Sequence, residues 1–599
     1  MASGRDAGYL PLREYAAIGD GRTLAFVSSD GSLEWLCLPD LDSPSIFAAV
    51  LDTERGGSFS FAPEAPFDSE RRYLPDTNVL ETTFKTATGS VRVTDAMLLP
   101  DTGLVPSREL ARRVEGLSGE VLMQWRVEPQ FHYGEKTSQI GHRGGTPVAT
   151  AGGDALAVSS WAAGAPVLGD GSISGSFVAT AGAEALVVLN SAHREPLILP
   201  SRAEAESRLS STIAFWREWS AGRTYEGPWR DAVIRSALVL KLLIHSPSGA
   251  IAAAGTASLP EQIGGERNWD YRFCWVRDSA LTLHALMRLG CPHEGESYFW
   301  WLLHASQLTH PRLRVLYRLN GGERAPESTL PLSGYRDSGP VRIGNAAGGQ
   351  EQLDVYGDLM QTAWLYATAA DSLDSDTARR LVEIADLVCE IWRRPDSGIW
   401  EVRSEPLHFT HSKIMCWIAL DRAVRLAERG LIPRAHMSRW SAEAEEVRRF
   451  IEERCWSEEA GSYTRSAGSR ELDASLLLGA LMGYPSERDP GLSTTISALR
   501  RDLGSGPLLD RYSGEDGLEG KEGAFLCCSF WLTDALAGAG RIDEATELME
   551  QLIGLANDVG LYAEEIDQGS GAFLGNLPQG LVHLALINAA VSIGEAQRS

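Results

Sequence analysis

The chain has 599 residues, 44% of them hydrophobic, and a formal charge of −25 at pH 7. That length exceeds one ordinary domain and predicts two large ones or three, each with a sizeable core. The acidic balance, with no basic stripe, argues against a nucleic-acid partner, because phosphate binding needs clustered Lys and Arg.

Residues 23–27 and 33–37 flank Ser28-Ser29-Asp30-Gly31, which reads as a hairpin with Asp-Gly supplying the positive-φ turn. Residues 79–85 and 91–97 flank Ala87-Thr88-Gly89 in the same way. Apolar and polar residues alternate over 121–131 and 175–180, and Val187-Val188-Leu189 reads as a short buried strand. Gly, Asp, Ser and Pro break this region into short strands, the pattern of a β-sandwich. Near residue 202 the period changes. Residues 203–219 predict a connecting helix. Twelve helical segments follow, near 227–246, 278–290, 293–308, 354–373, 376–393, 411–429, 439–455, 472–482, 491–502, 524–540, 541–557 and 578–594. The expected fold is an N-terminal antiparallel β-sandwich over 1–201, a linker helix within 202–224, and an (α/α)6 toroid of six helix pairs over 225–599. Residues 311–352 form a long connection, and long loops in compact domains are often functional.

The longest apolar stretches, such as 237–244, are broken by charges such as Lys241, and none approaches the ~20 residues of a membrane span. Met1 to Asp6 lacks the charged-then-apolar pattern of a secretion signal. The eight cysteines show no metal-type spacing and read as buried free thiols in a reducing compartment, so a cytoplasmic location is expected.

Chemistry concentrates in a few stretches. Residues 269–278 hold Trp269, Tyr271, Arg272, Trp275, Arg277 and Asp278. Asp278 stands where it would cap the helix that follows, and taken alone reads equally as a cap with a surface ion pair. An Arg-Asp pair beside aromatics can also clamp sugar hydroxyls through charge-assisted hydrogen bonds. Asp396-Ser397-Gly398-Ile399-Trp400-Glu401 and Leu561-Tyr562-Ala563-Glu564-Glu565 each set a carboxylate near an aromatic residue. Two carboxylates facing across a pocket can cleave a glycosidic bond, one protonating the leaving oxygen and the other activating water. Taken alone, Glu401 reads as a solvated turn residue, and Glu564-Glu565 as an exposed helix end. Adjacent glutamates repel when both are buried, so at most one should point inward. Residues 509–516, with Asp510, Arg511, Glu515 and Asp516, read alone as an acidic solvated loop. His408 and His411 are a weak metal signal with no evident third ligand. There is no phosphate-cradling Gly-x-x-x-x-Gly-Lys, no His-Glu-x-x-His and no Gly-x-Ser-x-Gly elbow in a strand-to-helix context.

Five ordered matches make the chain resemble glycoside hydrolase family 15, the glucoamylase and bacterial trehalase family: residues 275–281, Ile399-Trp400-Glu401, Arg511-Tyr512 with Glu515-Asp516, Phe525-Leu526-Cys527, and Ala563 to Asp567. Residues 18–23, 31–35 and 40–43 resemble the trehalase-type N-terminal β-domain. The resemblance covers nearly the whole chain. It implies an inverting hydrolase of α-glucosides with Glu401 as general acid and Glu564 as general base; Glu565 is the neighbouring alternative for the base. It implies that Arg277, Asp278 and Arg511 hold the nonreducing glucose, that Tyr271, Trp275 and Trp400 form aromatic walls, and that Ile399 belongs to the substrate site. An inverting pair stands ~6.5–9.5 Å apart, leaving room for a water. Fungal members place a second carboxylate after the acid, where this chain has Val402, and an aromatic residue where it has Gln579. That pattern is closer to the bacterial branch, which holds trehalases and enzymes of short α-glucans.

The expected partner is a small α-glucoside, with no cofactor, no metal, no nucleic acid and no membrane; a homo-oligomer is compatible with the sequence. Trehalase type is the reading adopted. The alternatives are a glucoamylase-type hydrolase of maltose, isomaltose or short α-glucans, an inverting phosphorylase that needs only one catalytic acid, and a noncatalytic carbohydrate-binding protein.

Overall fold

The computed structural model describes residues 4–99, 108–484, 490–514, 517, 520 and 522–598. Its first part is antiparallel β-structure. The expected hairpin pairs Leu24–Ser28 with Ser32–Cys37. Gly31 holds φ +83°, and a Cβ there would lie 2.5 Å from the Phe61 carbonyl oxygen, so only glycine fits the turn. The second expected pair is Leu80–Thr86 against Gly89–Leu98.

The alternation at 121–131 belongs to a longer strand, Glu109–Glu128, which buries Val121, Met123, Trp125 and Val127 on one side. This strand changes partners along its length. Its first half pairs with Gly89–Leu98 and Glu184–His193, its second with Ser58–Pro63 and Ile173–Thr180. The result is one 15-stranded antiparallel sheet. Inside it the fully buried Arg112 pairs with Asp95 (2.8 Å) and lies over the Phe59 ring, so the buried charge is matched.

Helix α1 (Arg202–Ala221) opens on a capping box formed by Ser201 and Glu204. Twelve more helices follow among the described residues, each at one of the expected segments. They are α2 (Arg230–Leu243), α3 (Ser279–Arg288), α4 (Pro292–Ala305), α5 (Asp354–Ala370), α6 (Ser375–Ile391), α7 (Thr410–Glu428), α8 (Met437–Arg454), α9 (Leu476–Leu481), α10 (Pro490–Asp502), α11 (Leu526–Gly538), α12 (Ile542–Ile553) and α13 (Gly580–Arg598). Two kinds alternate. Helix α8 buries only Trp440, Ala444, Val447 and Ile451, one turn apart, and therefore packs by a single stripe. Helix α11 buries every residue from Leu526 to Ala537, so it is enclosed on all sides. Contacts run from α3 to α5, α7, α9, α11 and α13, and from α13 back to α3.

The connection 311–352 is not structureless: Ser328–Leu330 pairs with Val341–Ile343, and Leu316–Tyr317 with Cys274–Trp275. The β-part buttresses the aromatic-rich stretch from behind. Trp35 Nε1 donates to the Gly255 carbonyl (3.0 Å). Arg272, ion-paired with Asp270, donates to the Ser43 carbonyl (2.7 Å). All eight cysteines are buried and unpaired. No helix among the described residues is long and apolar enough to cross a membrane.

Candidate functional site

The loop 396–401 is built to aim one side chain. Asp396, 1% exposed, accepts from the Leu353 N–H (2.9 Å) and the Ser412 hydroxyl (2.8 Å), which anchors the turn. Gly398 holds φ +65°, and a Cβ there would meet the Phe409 ring at 2.7 Å. Glu401 itself adopts φ +58°, a left-handed conformation rare outside glycine and common at strained functional positions. Gln350 Nε2 ties the Glu401 carbonyl at 3.1 Å.

The carboxylate of Glu401 meets two donors on one oxygen. Trp275 Nε1 donates to Oε1 at 2.6 Å, and Arg277 Nη1 to the same atom at 3.1 Å. Arg277 also donates to the Ile399 carbonyl (3.2 Å) and to Asp278 Oδ1 (2.7 Å). Burial raises the pKa of Glu401; Arg277 and the Trp275 hydrogen bond oppose the shift without cancelling it. Asp278 occupies the cap position of α3, but its side chain makes no cap hydrogen bond. Its carboxylate is committed to Arg277 instead, which corrects the capping reading.

Glu564 and Glu565 lie where a three-stranded piece forms, Ala524–Phe525 against Glu565–Ile566 against Phe573–Leu574. Both are buried, at 1% and 0% exposure, which overturns the expectation that only one could turn inward. The physical reason is that Glu565 is matched: Arg511 stands 3.1 Å from Oε1, and the Gly523 N–H donates to Oε2 at 2.9 Å. Glu564 Oε2 accepts from the Asn576 N–H at 3.2 Å. Burial first, and then the charge of Glu261, push Glu564 well above the usual carboxylate range, while Arg511 and Arg277 pull it back.

A cavity of about 180 Å³ opens beside these groups. Of the residues expected at the site, Tyr271, Trp400, Glu401 and Arg511 line it. Trp275, Arg277, Asp278, Ile399 and Glu564 are not on its wall; the first four join it through Glu401 by the bonds given above. Trp275, 1% exposed, donates to Glu401 rather than lining this cavity. Tyr271 packs edge-on against Trp275, with centroids 5.1 Å apart. Burial first, and then the charges of Glu564, Glu401 and Glu261, raise the pKa of the Tyr271 hydroxyl. Trp400 Nε1 donates to Asp473 Oδ1 (2.9 Å), and its ring packs against Phe525 and Trp531.

Sequence reasoning missed Glu261, Arg267, Gln350 and Arg403, which share the wall. Among the described residues, Glu261, Glu522 and Glu565 have a spacing that could hold a cation. Arg511 sits among them, 3.2 Å from Glu261, paired also with Glu522, and 3.1 Å from Glu565, and supplies the positive charge itself. His411 is buried with no hydrogen bond to either ring nitrogen, and burial holds its pKa down to about 3; it stands 3.9 Å from Asp354 and does not line the cavity. Glu515 and Asp516 lie outside the described residues.

The glycosyl hydrolases family 15 model matches residues 227–591, and that of the trehalase-like N-terminal domain residues 3–191. Trehalase of Mycobacterium tuberculosis is 37% identical, covering 98% of this chain and 90% of its own length. Trehalase of Mycolicibacterium smegmatis is 38% identical over 98% and 92%, and that of Thermoplasma volcanium 33% over 98% and 94%. The crystal structure of a bacterial glucoamylase complexed with acarbose shares the fold, with a TM-score of 0.73 over 99% of this chain and 96% of that one at 13% identity. Motif order, fold and these matches agree: the chain belongs to glycosyl hydrolases family 15 and is an O-glycoside hydrolase.

Proposed function

We propose that the protein is a trehalase-type α-glucoside hydrolase that acts from the nonreducing end and inverts the anomeric centre, releasing β-glucose. The observation that carries the reading is the environment of Glu401. Its Oε1 accepts from both Trp275 and Arg277, so the mobile proton belongs on Oε2. Burial favours that protonated form, as a general acid requires. Glu401 then gives its proton to the glycosidic oxygen as the bond to the anomeric carbon breaks. Glu564, in its ionised form, takes a proton from a water that attacks the same carbon from the opposite face; burial and Glu261 oppose that form, and Arg511, the Asn576 N–H and Arg277 favour it. Arg277, Asp278 and Arg511 bind glucose hydroxyls, and Tyr271 and Trp400 supply the apolar faces.

The circuit of contacts from α3 through α13 supports a toroid of six helix pairs over 225–599. The switch of partners along Glu109–Glu128 supports a sandwich over 1–201, joined through 202–224. Eight buried, unpaired thiols favour a reducing, cytoplasmic setting. The names of the relatives favour trehalose over maltose or isomaltose.

Purified protein is offered trehalose, maltose, isomaltose and kojibiose, with the first anomer followed by NMR. Cleavage of trehalose to one β-glucose and one α-glucose per turnover is the expected result. α-Glucose alone as the first product refutes inversion, and phosphate-dependent glucose 1-phosphate assigns the chain to the phosphorylases.

A further inference from the structure

Glu261 follows the strand Ala257–Pro260 and is 2% exposed, yet it lines the cavity beside Tyr271, Glu401 and Arg511. Its main chain is fixed: the Glu261 N–H donates to the Arg267 carbonyl (3.0 Å), and the Gly575 N–H to the Pro260 carbonyl (2.7 Å). Its carboxylate is only half satisfied. Oε2 accepts from Arg511 Nη2 at 3.2 Å, while Oε1 is buried without a hydrogen-bond partner. A buried carboxylate oxygen without a hydrogen bond is costly, and on a cavity wall a water or a bound ligand can complete it.

Arg511 does not need Glu261 for neutrality. Glu522 and Glu565 already pair with the guanidinium, and Glu522 also holds Arg267 at 3.1 Å. The third carboxylate is surplus to that pairing. Glu565 Oε1 also lacks a hydrogen bond, but Glu565 is off the cavity wall; of the three carboxylates, Glu261 is the one that lines the cavity.

We infer that Glu261 is a specificity-determining, sugar-binding residue: Oε1 accepts a hydrogen bond from one ring hydroxyl of the bound glucose, beside Arg511. The assignment rests on the reading of this cavity as an α-glucoside site. One hydroxyl donates to Oε1, and the adjoining guanidinium can donate to the same sugar. A glucoside lacking that hydroxyl, or carrying it on the other ring face, leaves Oε1 unpaired and is rejected. Burial raises the pKa of Glu261 to about 7, and a hydroxyl donating to Oε1 would lower it.

The test compares wild type with Glu261→Ala and Glu261→Gln on trehalose and on trehalose analogues that each lack one hydroxyl. Wild type should lose about 10- to 100-fold in kcat/KM on one analogue, the range for a hydrogen bond to a charged group. Glu261→Ala should lose a similar factor on trehalose and nothing further on that one analogue, while the penalties of the others persist. Glu261→Gln, which keeps the shape and an acceptor oxygen, should recover part of the loss. Penalties that are unchanged by Glu261→Ala across the whole panel overturn the inference. Should the variants not fold, a crystal of Glu401→Gln with trehalose decides: a sugar hydroxyl within hydrogen-bond distance of Oε1 upholds the assignment, and none there overturns it. A wild-type protein inert on every α-glucoside would instead defeat the underlying functional reading, and with it this one.

Discussion

The indole N–H of Trp275 and the carboxylate of Glu401, 126 positions apart in the chain, meet at 2.6 Å. The bond holds Oε1 in place and leaves Oε2 to carry the proton in the proposed mechanism. It also opposes burial, since a donor to the carboxylate favours the ionised form.

Trp275→Phe removes that donor and keeps most of the packing. The ionised form of Glu401 loses support, so its pKa rises. Activity requires protonated Glu401, so the alkaline limb of the kcat profile should move to higher pH. A loss of about 10-fold in kcat is expected as Oε1 loses its anchor. An unmoved alkaline limb would show that Trp275 does not tune the acid.

Glu401→Gln and Glu564→Gln should each lower kcat by about 10²- to 10⁴-fold, the usual contribution of a positioned acid or base. Circular dichroism and melting temperature should show an intact fold. Near-normal turnover in either variant removes that residue from its role; should it be Glu564→Gln, Glu565 is the next candidate.

In the proposed mechanism the acidic limb reports on Glu564. Glu564 is raised by burial and then by Glu261. Loss of the Glu261 charge should lower the pKa of Glu564, so Glu261→Gln should shift the acidic limb of kcat/KM to lower pH. A shift in the opposite direction would mean that another group sets this limb.

Much of the fold was legible because helical period and turn chemistry are local. Each of the twelve helical segments could be read from the spacing of its apolar residues, and Asp30-Gly31 announced its hairpin. The strands Gln139–Arg143 and Thr146–Ala151 carry little signal, because the first is mostly polar and Ala and Thr dominate the second. In the site, residue types were visible but their directions were not. Trp275 looked like a sugar platform and is a buried donor. Asp278 looked like a cap and serves Arg277. Glu565 looked like a liability beside Glu564, until Arg511, more than fifty positions away, entered the same space. Glu261 follows an unremarkable Ser-Leu-Pro, and only the packing of 261–267 against Arg511 and Glu522 brings it to the cavity.

Asp354 offers a test of the interior under the site. It is fully buried, Oδ2 accepts no hydrogen bond, and burial, then the charge of Asp396, push its pKa up to about 7. The unfolded chain releases this proton near the ordinary Asp value, so between that value and about 7 the folded state binds the extra proton. Stability therefore falls as pH rises through this window and stays reduced above it. Asp354→Asn removes the penalty. It should raise stability at pH 8 by up to about 4 kcal/mol and change it much less near pH 4. Denaturation at both pH values checks this, and an equal gain at both would rule out titration as the cause.

Gly575 leaves room for Glu564, the proposed base, as well as for its own turn. It holds φ +71°, and a Cβ there would lie 2.6 Å from Glu564 Oε2 and 2.7 Å from Glu564 Cβ. The Glu564 side chain cannot yield easily, because its Oε2 is held by the Asn576 N–H (3.2 Å) one residue beyond the glycine. Gly575→Ala therefore forces either the carboxylate or the turn to move. A loss of at least about 10-fold in kcat is expected, since displacements on the order of 1 Å from productive geometry cost up to about 100-fold. The left-handed φ adds a stability cost of about 1 kcal/mol. The acidic limb should shift together with kcat if Glu564 has moved. Full activity at an unchanged pH profile would show that this glycine, and the contact it permits, do not matter to the base.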